Sequence, residues 1–354
     1  MTQTNRRPVA VCAAEFWTGA TGTGLCDGLR AAGWLVHEID IRAYKGQPGN
    51  TVVSRIMRRI QRTYSGQLYR HRVIDDCATV QPDLFLTVKG ADLDVATLNA
   101  ISAMGITTCN YYPDVNFNHA SFDEETVQAY DHFVTTKSFQ IDWLEEHRER
   151  GGVHFVHHGY CGLVHQPVYS KLAEADYLFD VGYAGNHSRY KADQLGGLLN
   201  LLPDLDLGVT GPNWQNMQGW LKLASRIDGR ERRNVGFAQF VQRSKINLAF
   251  HYGIVDDGWS DLVSTRTFEI PACGGFMLHV DNAEIRELYD VGTEIDVFSS
   301  IEEMAEKVTY YLERPDLRRT MTAKAMERTI PEYSYATRAR EMLAALGLPD
   351  YSLS

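Results

Sequence analysis

The chain has 354 residues, 44% of them apolar and 23% charged, a length for about two domains with ample core. The net charge of −10 argues against a general nucleic-acid coat protein, and no apolar run approaches the roughly 20 residues of a membrane helix. Six cysteines are scattered without a CxxC pair, which suits reduced thiols in a cytoplasmic protein better than disulfides or zinc.

The N-terminus carries two arginines and only a short apolar run, so it reads as a first strand and not as a signal peptide. "PVAVCAAEF" predicts a buried strand, "WTGATGTG" a glycine loop, "LCDGLRAAG" a helix ending in glycine and "WLVHEIDI" a second strand. Such crossovers make parallel sheets. Strands follow at "DLFLTVKG", "ITTCNYY", "DHFVTT" and "VHFVHHG", with helices at "VATLNAISAMG" and "SFQIDWLEEHRERG". After "HHGYCGLVHQPVYS" the alternation restarts, with strands at "YLFDVGYAGN", "LDLGVTGPNW", "SKINLAFHYG" and "FMLHVD" and helices at "RYKADQLGGLLNLL" and "TRTFEIPACGG". Two such blocks predict an α/β chain of two Rossmann-like, doubly wound domains. Their expected limits are residues 1–165 and 166–330, with amphipathic helices toward the end of the chain.

Four stretches can carry chemistry. Gly19, Gly22 and Gly24 follow the first strand and suit either a flexible loop at the mouth of a cleft or a plain turn. Their GxxGxG spacing is not the dinucleotide fingerprint, and Glu38 and Asp40 do not complete one. In "YAGNHSRYK", Gly185 and Asn186 precede a helix that opens with Arg189 and Lys191. A helix N-terminus with two cations makes an anion site, unless it is only a solvated basic helix start. In "DDGWSDLVSTRTFEIPACGG", Asp261 and Glu269 stand eight residues apart. Carboxylates accept hydroxyl hydrogen bonds and suit a ribose or a hexose. Arg266 lies on the same helix face as Glu269, so a plain Arg–Glu pair is the alternative. Finally, "SRIMRRIQRTYSGQLYRHR" carries Arg55, Arg58, Arg59, Arg62, Arg70 and Arg72. It reads as a solvated helix face or as a basic helix meeting an anionic surface. The strings Asp92-Leu93-Asp94 and Asp204-Leu205-Asp206 sit in a helix start and a turn and are not expected to hold metal.

At Ser264, Arg266, Phe268, Glu269, Ala272, Cys273, Gly274 and Phe276 the chain resembles the C-terminal signature of GT-B glycosyltransferases of group 1. It looks closest to CgeB-like spore-maturation proteins, whose pattern is roughly S-x-R-x-F-E-x-x-A-C-G-x-F. "YYPDVNF", "YDHFVTTKSFQIDWL", "VHHGYCGLVHQP" and the C-terminal helices extend the likeness. His157 replaces a usual proline, Cys161 a usual acid and Tyr333 a usual histidine. Asp261 replaces the first acid of the wider E-x7-E motif and is expected, with Asp114 and His158, among the catalytic residues.

The resemblance implies an N-terminal acceptor-side domain, a C-terminal nucleotide-sugar-binding domain and, over 331–354, a helix crossing back to the first domain. It implies a hexosyltransferase-type enzyme with a UDP- or GDP-sugar as co-substrate and no further cofactor or metal. Glu269 would hold the ribose. The helix start at Arg266, Thr267 and Phe268, with Gly185, Asn186, Arg189 and Lys191, would receive the diphosphate. The small pair Gly274-Gly275 would let backbone approach phosphate. Charge on the departing diphosphate needs fixed cations, here Arg189, Lys191 and Arg266. A base for the acceptor would come from Asp114, His119, His158 or Glu15, and the Asp261–Glu269 spacing points to retention, which needs none. Alternatives are an epimerase of the same fold and a catalytically silent nucleotide-sugar-binding scaffold. The acceptor is a saccharide, lipid-linked group, protein or nucleic acid, with Arg55–Arg72 as a peripheral contact to an anionic surface.

Overall fold

The computed structural model describes residues 6–45, 52–90, 92–115, 117, 124–214, 221–228, 231–250 and 259–351, with the backbone alone over 52–63 and 221–222. His119 and the side chains of Arg55, Arg58, Arg59 and Arg62 lie outside the described part. Two compact units result. The first is Met1–His157 with Tyr335–Ser354, and the second is His158–Ser334.

In the first unit, strands β1 (Val9–Ala14), β2 (Leu35–Asp40), β3 (Leu84–Val88), β4 (Thr107–Tyr112), β5 (His132–Thr135) and β6 (Val153–Phe155) form one sheet. Its order is β2-β1-β3-β4-β5-β6 and every pairing is parallel. Both faces of such a sheet are covered, which favours long apolar runs in its strands, as in β1, where all but the first residue are buried; β4 instead buries Thr108 and Asn110 among its aromatic residues. The crossovers carry helices α1 (Thr21–Ala31), α2 (Val52–Val80), α3 (Val95–Ser102), α4 (Glu124–Ala129) and α5 (Ile141–His147).

The glycine loop expected over residues 17–24 is shorter than the sequence suggests. α1 already begins at Thr21, so Gly22 and Gly24 are helical and only Gly19, at φ +92°, turns the chain. A Cβ on Gly22 would lie 2.7 Å from that of Ala14, one on Gly24 would overlap the Tyr335 ring, and one on Gly28 would come 2.6 Å from Ala339 Cβ. These glycines bring α1 tight against β1 and against the chain's last helix.

In the second unit, strands β7 (Phe179–Ala184), β8 (Leu207–Thr210), β9 (Ile227–Asp228), β10 (Ser244–Ala249), β11 (Met277–Val280) and β12 (Asp296–Phe298) form a parallel sheet of order β12-β11-β10-β7-β8-β9. The chain steps outward from β7, returns to pair β10 beside it, and continues on the other side. The order therefore reverses between β7 and β10, the point where doubly wound sheets open a crevice at their carboxyl ends. Helices α6 (Arg189–Leu201), α7 (Leu221–Ala224), α8 (Val235–Gln242), α9 (Thr265–Ala272), α10 (Ala283–Leu288), α11 (Ile301–Leu312) and α12 (Pro315–Thr329) complete the unit, and α13 (Tyr335–Ala345) belongs to the first. The core between α6, α11 and the sheet is built on Val181, Leu195, Leu207, Ile246, Leu278 and Val308, all buried. Among the described residues no helix is long and apolar enough to cross a membrane.

Candidate functional site

At the β7–β10 reversal, the end of β7 meets the start of α9. Arg266 Nε donates to the carbonyl of Ala184, the last residue of β7, over 2.8 Å. Its guanidinium also pairs with Glu269 Oε2 and lies over the Phe237 ring, with Cζ 4.5 Å from the centroid. Glu269 is 5% exposed. The second helix start contributes Lys191, also buried, whose Nζ donates to Asn186 O over 3.2 Å. Burial lowers the Lys191 pKa to about 8, with the charge of Asp261 opposing that shift and Arg266 adding to it. A lysine held below its ordinary value costs stability while it is charged. That cost is present below about pH 8 and disappears as pH rises from there toward the ordinary lysine range.

Both helix starts are capped by their own sequence. Ser188 Oγ accepts from the N–H of Lys191, and Ser264 Oγ from that of Arg266. In return the N–H of Ser264 donates to Thr267 Oγ1, closing a capping box. Thr267 in turn is held by buried His279, 3.0 Å away, whose Nδ1 faces the Val280 carbonyl at 2.6 Å. Burial pushes His279 down to about 4. The ring is therefore neutral, with its proton on Nδ1, and Nε2 accepts from the threonine.

The loop after β7 is equally constrained. Gly185 N donates to Thr210 O over 3.0 Å, His187 N to Pro212 O over 3.1 Å, and the Trp214 indole to Gly185 O over 2.9 Å. Gly211, at φ +139°, faces the Gly185 carbonyl so closely that a Cβ there would overlap it.

The structure thus gathers Gly185, Asn186, Lys191, Arg266 and Glu269, with Asp261 close enough to act on Lys191. Arg189 is not part of this group: its side chain is 94% exposed and faces Asp193 at 3.7 Å. Thr267 and Phe268 have fully buried side chains, Phe268 packing edge-on to Tyr333. They can offer a ligand only backbone. The expectation for Gly274-Gly275 is corrected. The pair follows the far end of α9, Gly274 at φ +75°. A Cβ on Gly275 would meet Val241 and Asn247, so the pair serves helix closure and packing. Asp114 lies in the first unit, where Lys89 Nζ approaches Oδ2 to 3.0 Å and Gln140 holds its carbonyl. His158 is buried in the second unit. Glu15, also in the first unit, pairs with Lys45 at 2.7 Å.

Sequence reasoning missed His165. It sits in the turn after Cys161, 5% exposed, with Nε2 3.6 Å from Glu269 Oε1. It missed Phe237, Gly211 and Trp214 as well. In the sequence His165 is one of four histidines between His154 and His165, and only its place beside an apolar turn hinted at burial.

Residues 194–344 match the family described as glycosyl transferase-like, while a search of curated proteins finds no match. Among solved structures the chain is similar to sucrose-phosphate synthase of Thermosynechococcus elongatus (TM-score 0.65, 14% identity, 97% of this chain and 98% of that one). It is similar to HepE of Anabaena in complex with UDP (0.63, 12%, 96% and 99%). It is also similar to a putative UDP-N-acetylglucosamine 2-epimerase of Listeria monocytogenes (0.53, 13%, 96% and 96%). Two Rossmann-like parallel-sheet units in this order, matched over nearly their whole length by such structures, give the chain the GT-B fold, with the glycosyl transferase-like pattern over 194–344.

Proposed function

We propose that the protein is a glycosyltransferase of CgeB-like type that takes its sugar from a nucleotide-sugar donor bound by the second unit. The observation that carries this reading is the convergence of Lys191, Arg266 and Glu269 where the strand order reverses. Two cations beside two capped helix starts favour a diphosphate. A buried carboxylate beyond them favours the hydroxyls of a ribose. HepE, of similar fold, is described with UDP, which supports a uridine nucleotide ahead of a guanosine one.

In this reading, charge grows on the diphosphate as the sugar leaves. Lys191 and Arg266 are already in place to meet it, so little reorganisation is needed in the transition state. The protein's own cations do the work and no metal is assigned. Lys191 gains most, because an anion returns to it the stabilisation that burial removed. Asp261 takes part by helping to keep Lys191 charged. Asp114 is the acceptor-side residue, and retention is the expected stereochemistry. A similar epimerase makes epimerisation of the same donor the second reading. It predicts a C2-inverted sugar nucleotide without any acceptor.

The test is calorimetric titration with UDP, GDP, ADP, CMP and dTDP at about pH 7 and about pH 9.5. One of them is expected to bind at micromolar strength and to weaken about tenfold at the higher pH as Lys191 loses its proton. Binding by none, with the protein folded, defeats the proposal. Arg189→Ala is expected to change that affinity by less than about threefold, since an exposed pair contributes little. A larger loss would return Arg189 to the site.

A further inference from the structure

His165 is a buried polar group beside the site that the proposed chemistry does not use. The turn that carries it is closed twice. His165 N donates to Cys161 O over 2.8 Å, and Cys161 N donates to His165 Nδ1 over 3.0 Å. Because Nδ1 is an acceptor, the neutral ring carries its proton on Nε2. That nitrogen lies 3.6 Å from Glu269 Oε1, while Arg266 pairs with Oε2. Phe237 backs both partners, edge-on to His165 at 5.6 Å between centroids and face-on to Arg266 at 4.5 Å. The turn is anchored by Gln242, whose Oε1 accepts from Val168 N and Tyr169 N over 2.6 and 2.9 Å.

We propose that His165 is a positioning residue for Glu269, its Nε2–H and Arg266 fixing the carboxylate so that Oε1 is presented to a hydroxyl of the bound nucleotide. This rests on the nucleotide reading above. At 3.6 Å the imidazole orients Oε1 without using it as a full hydrogen bond would. A carboxylate oxygen has two lone pairs, so a donor hydroxyl can be accepted there while Oε2 stays with Arg266. Among the described residues, Glu269 and Arg266 are the charged groups that act on the ring. Burial favours the neutral form and Glu269 opposes that tendency.

Two measurements test it. In histidine-labelled protein without ligand, the ring nitrogens of His165 are read by NMR in wild type and Glu269→Gln. The expected result is a neutral ring protonated on Nε2, whose titration midpoint falls when the carboxylate is removed. A proton on Nδ1, or a midpoint indifferent to residue 269, overturns the proposal. Next, UDP, GDP, ADP, CMP and dTDP are titrated into His165→Phe and His165→Gln. The phenylalanine fills the space but cannot donate, and should weaken the nucleotide that wild type binds by about five- to tenfold, less than the loss of a full hydrogen bond to a charge. The glutamine restores a donor and should stay within about threefold. His165→Phe binding like wild type, or both variants weakened equally as for a packing role, overturns the inference and leaves the nucleotide reading intact. Wild type binding none of the five defeats that reading itself.

Discussion

Glu269→Ala is expected to weaken nucleotide binding by about 1.5–3 kcal/mol, the worth of a hydrogen bond to a buried charge. That corresponds to roughly a ten- to hundredfold loss. The substitution leaves the Arg266 guanidinium facing a void, although its contacts to Ala184 O and the Phe237 ring remain. Arg266 is about a third exposed, so water reaches it and the stability cost should stay near 1 kcal/mol. Calorimetry and thermal unfolding separate the two effects. Large loss of binding with small loss of stability is the expected pair. Unchanged nucleotide affinity would remove Glu269 from the site and confine it to its pairing with Arg266.

Gly211→Ala is expected to cost about 3 kcal/mol of stability. Two terms add. The new Cβ overlaps the Gly185 carbonyl, a backbone atom that cannot swing away, and overpacking of this kind costs about 1–3 kcal/mol. The φ of +139° suits glycine alone, adding about 1–2 kcal/mol. Because Gly185 is tied to Thr210 and Trp214, relief of the clash must displace the loop that positions Asn186 and Lys191. Denaturant unfolding should show the loss, and ligand affinity should fall with it. A fully stable Gly211→Ala protein would mean that the loop is looser than the distances indicate.

The fold was largely legible because buried parallel strands write themselves as apolar runs, such as "VAVCAA" and "LFLTV", separated by helical periods. The site was legible in part. Arg266 and Glu269 are three residues apart on one helix, so their pairing follows from helix geometry. Arg189 and Lys191 looked equivalent, yet two residues along a helix is about 200° of rotation. One must point away from whatever the other faces, and packing of Ala192 and Leu195 decided that Lys191 goes inward. Gly22 and Gly24 suggest a loop because glycine is a poor helix former, and their close fit against Ala14 and Tyr335 overrides that propensity. His165 meets Glu269 across 104 positions of sequence, a contact that no local pattern encodes.

The membership of α13 in the first unit has a consequence for the order in which the chain matures. Domains usually fold as they emerge during synthesis, the N-terminal one first. Here the face of α1 that carries Gly24 and Gly28 awaits Tyr335 and Ala339, which are translated after the whole second unit. Of the two units, the one translated earlier is thus the last to be finished, and until then it presents a narrow glycine-lined face for which its own distant helix is the cover.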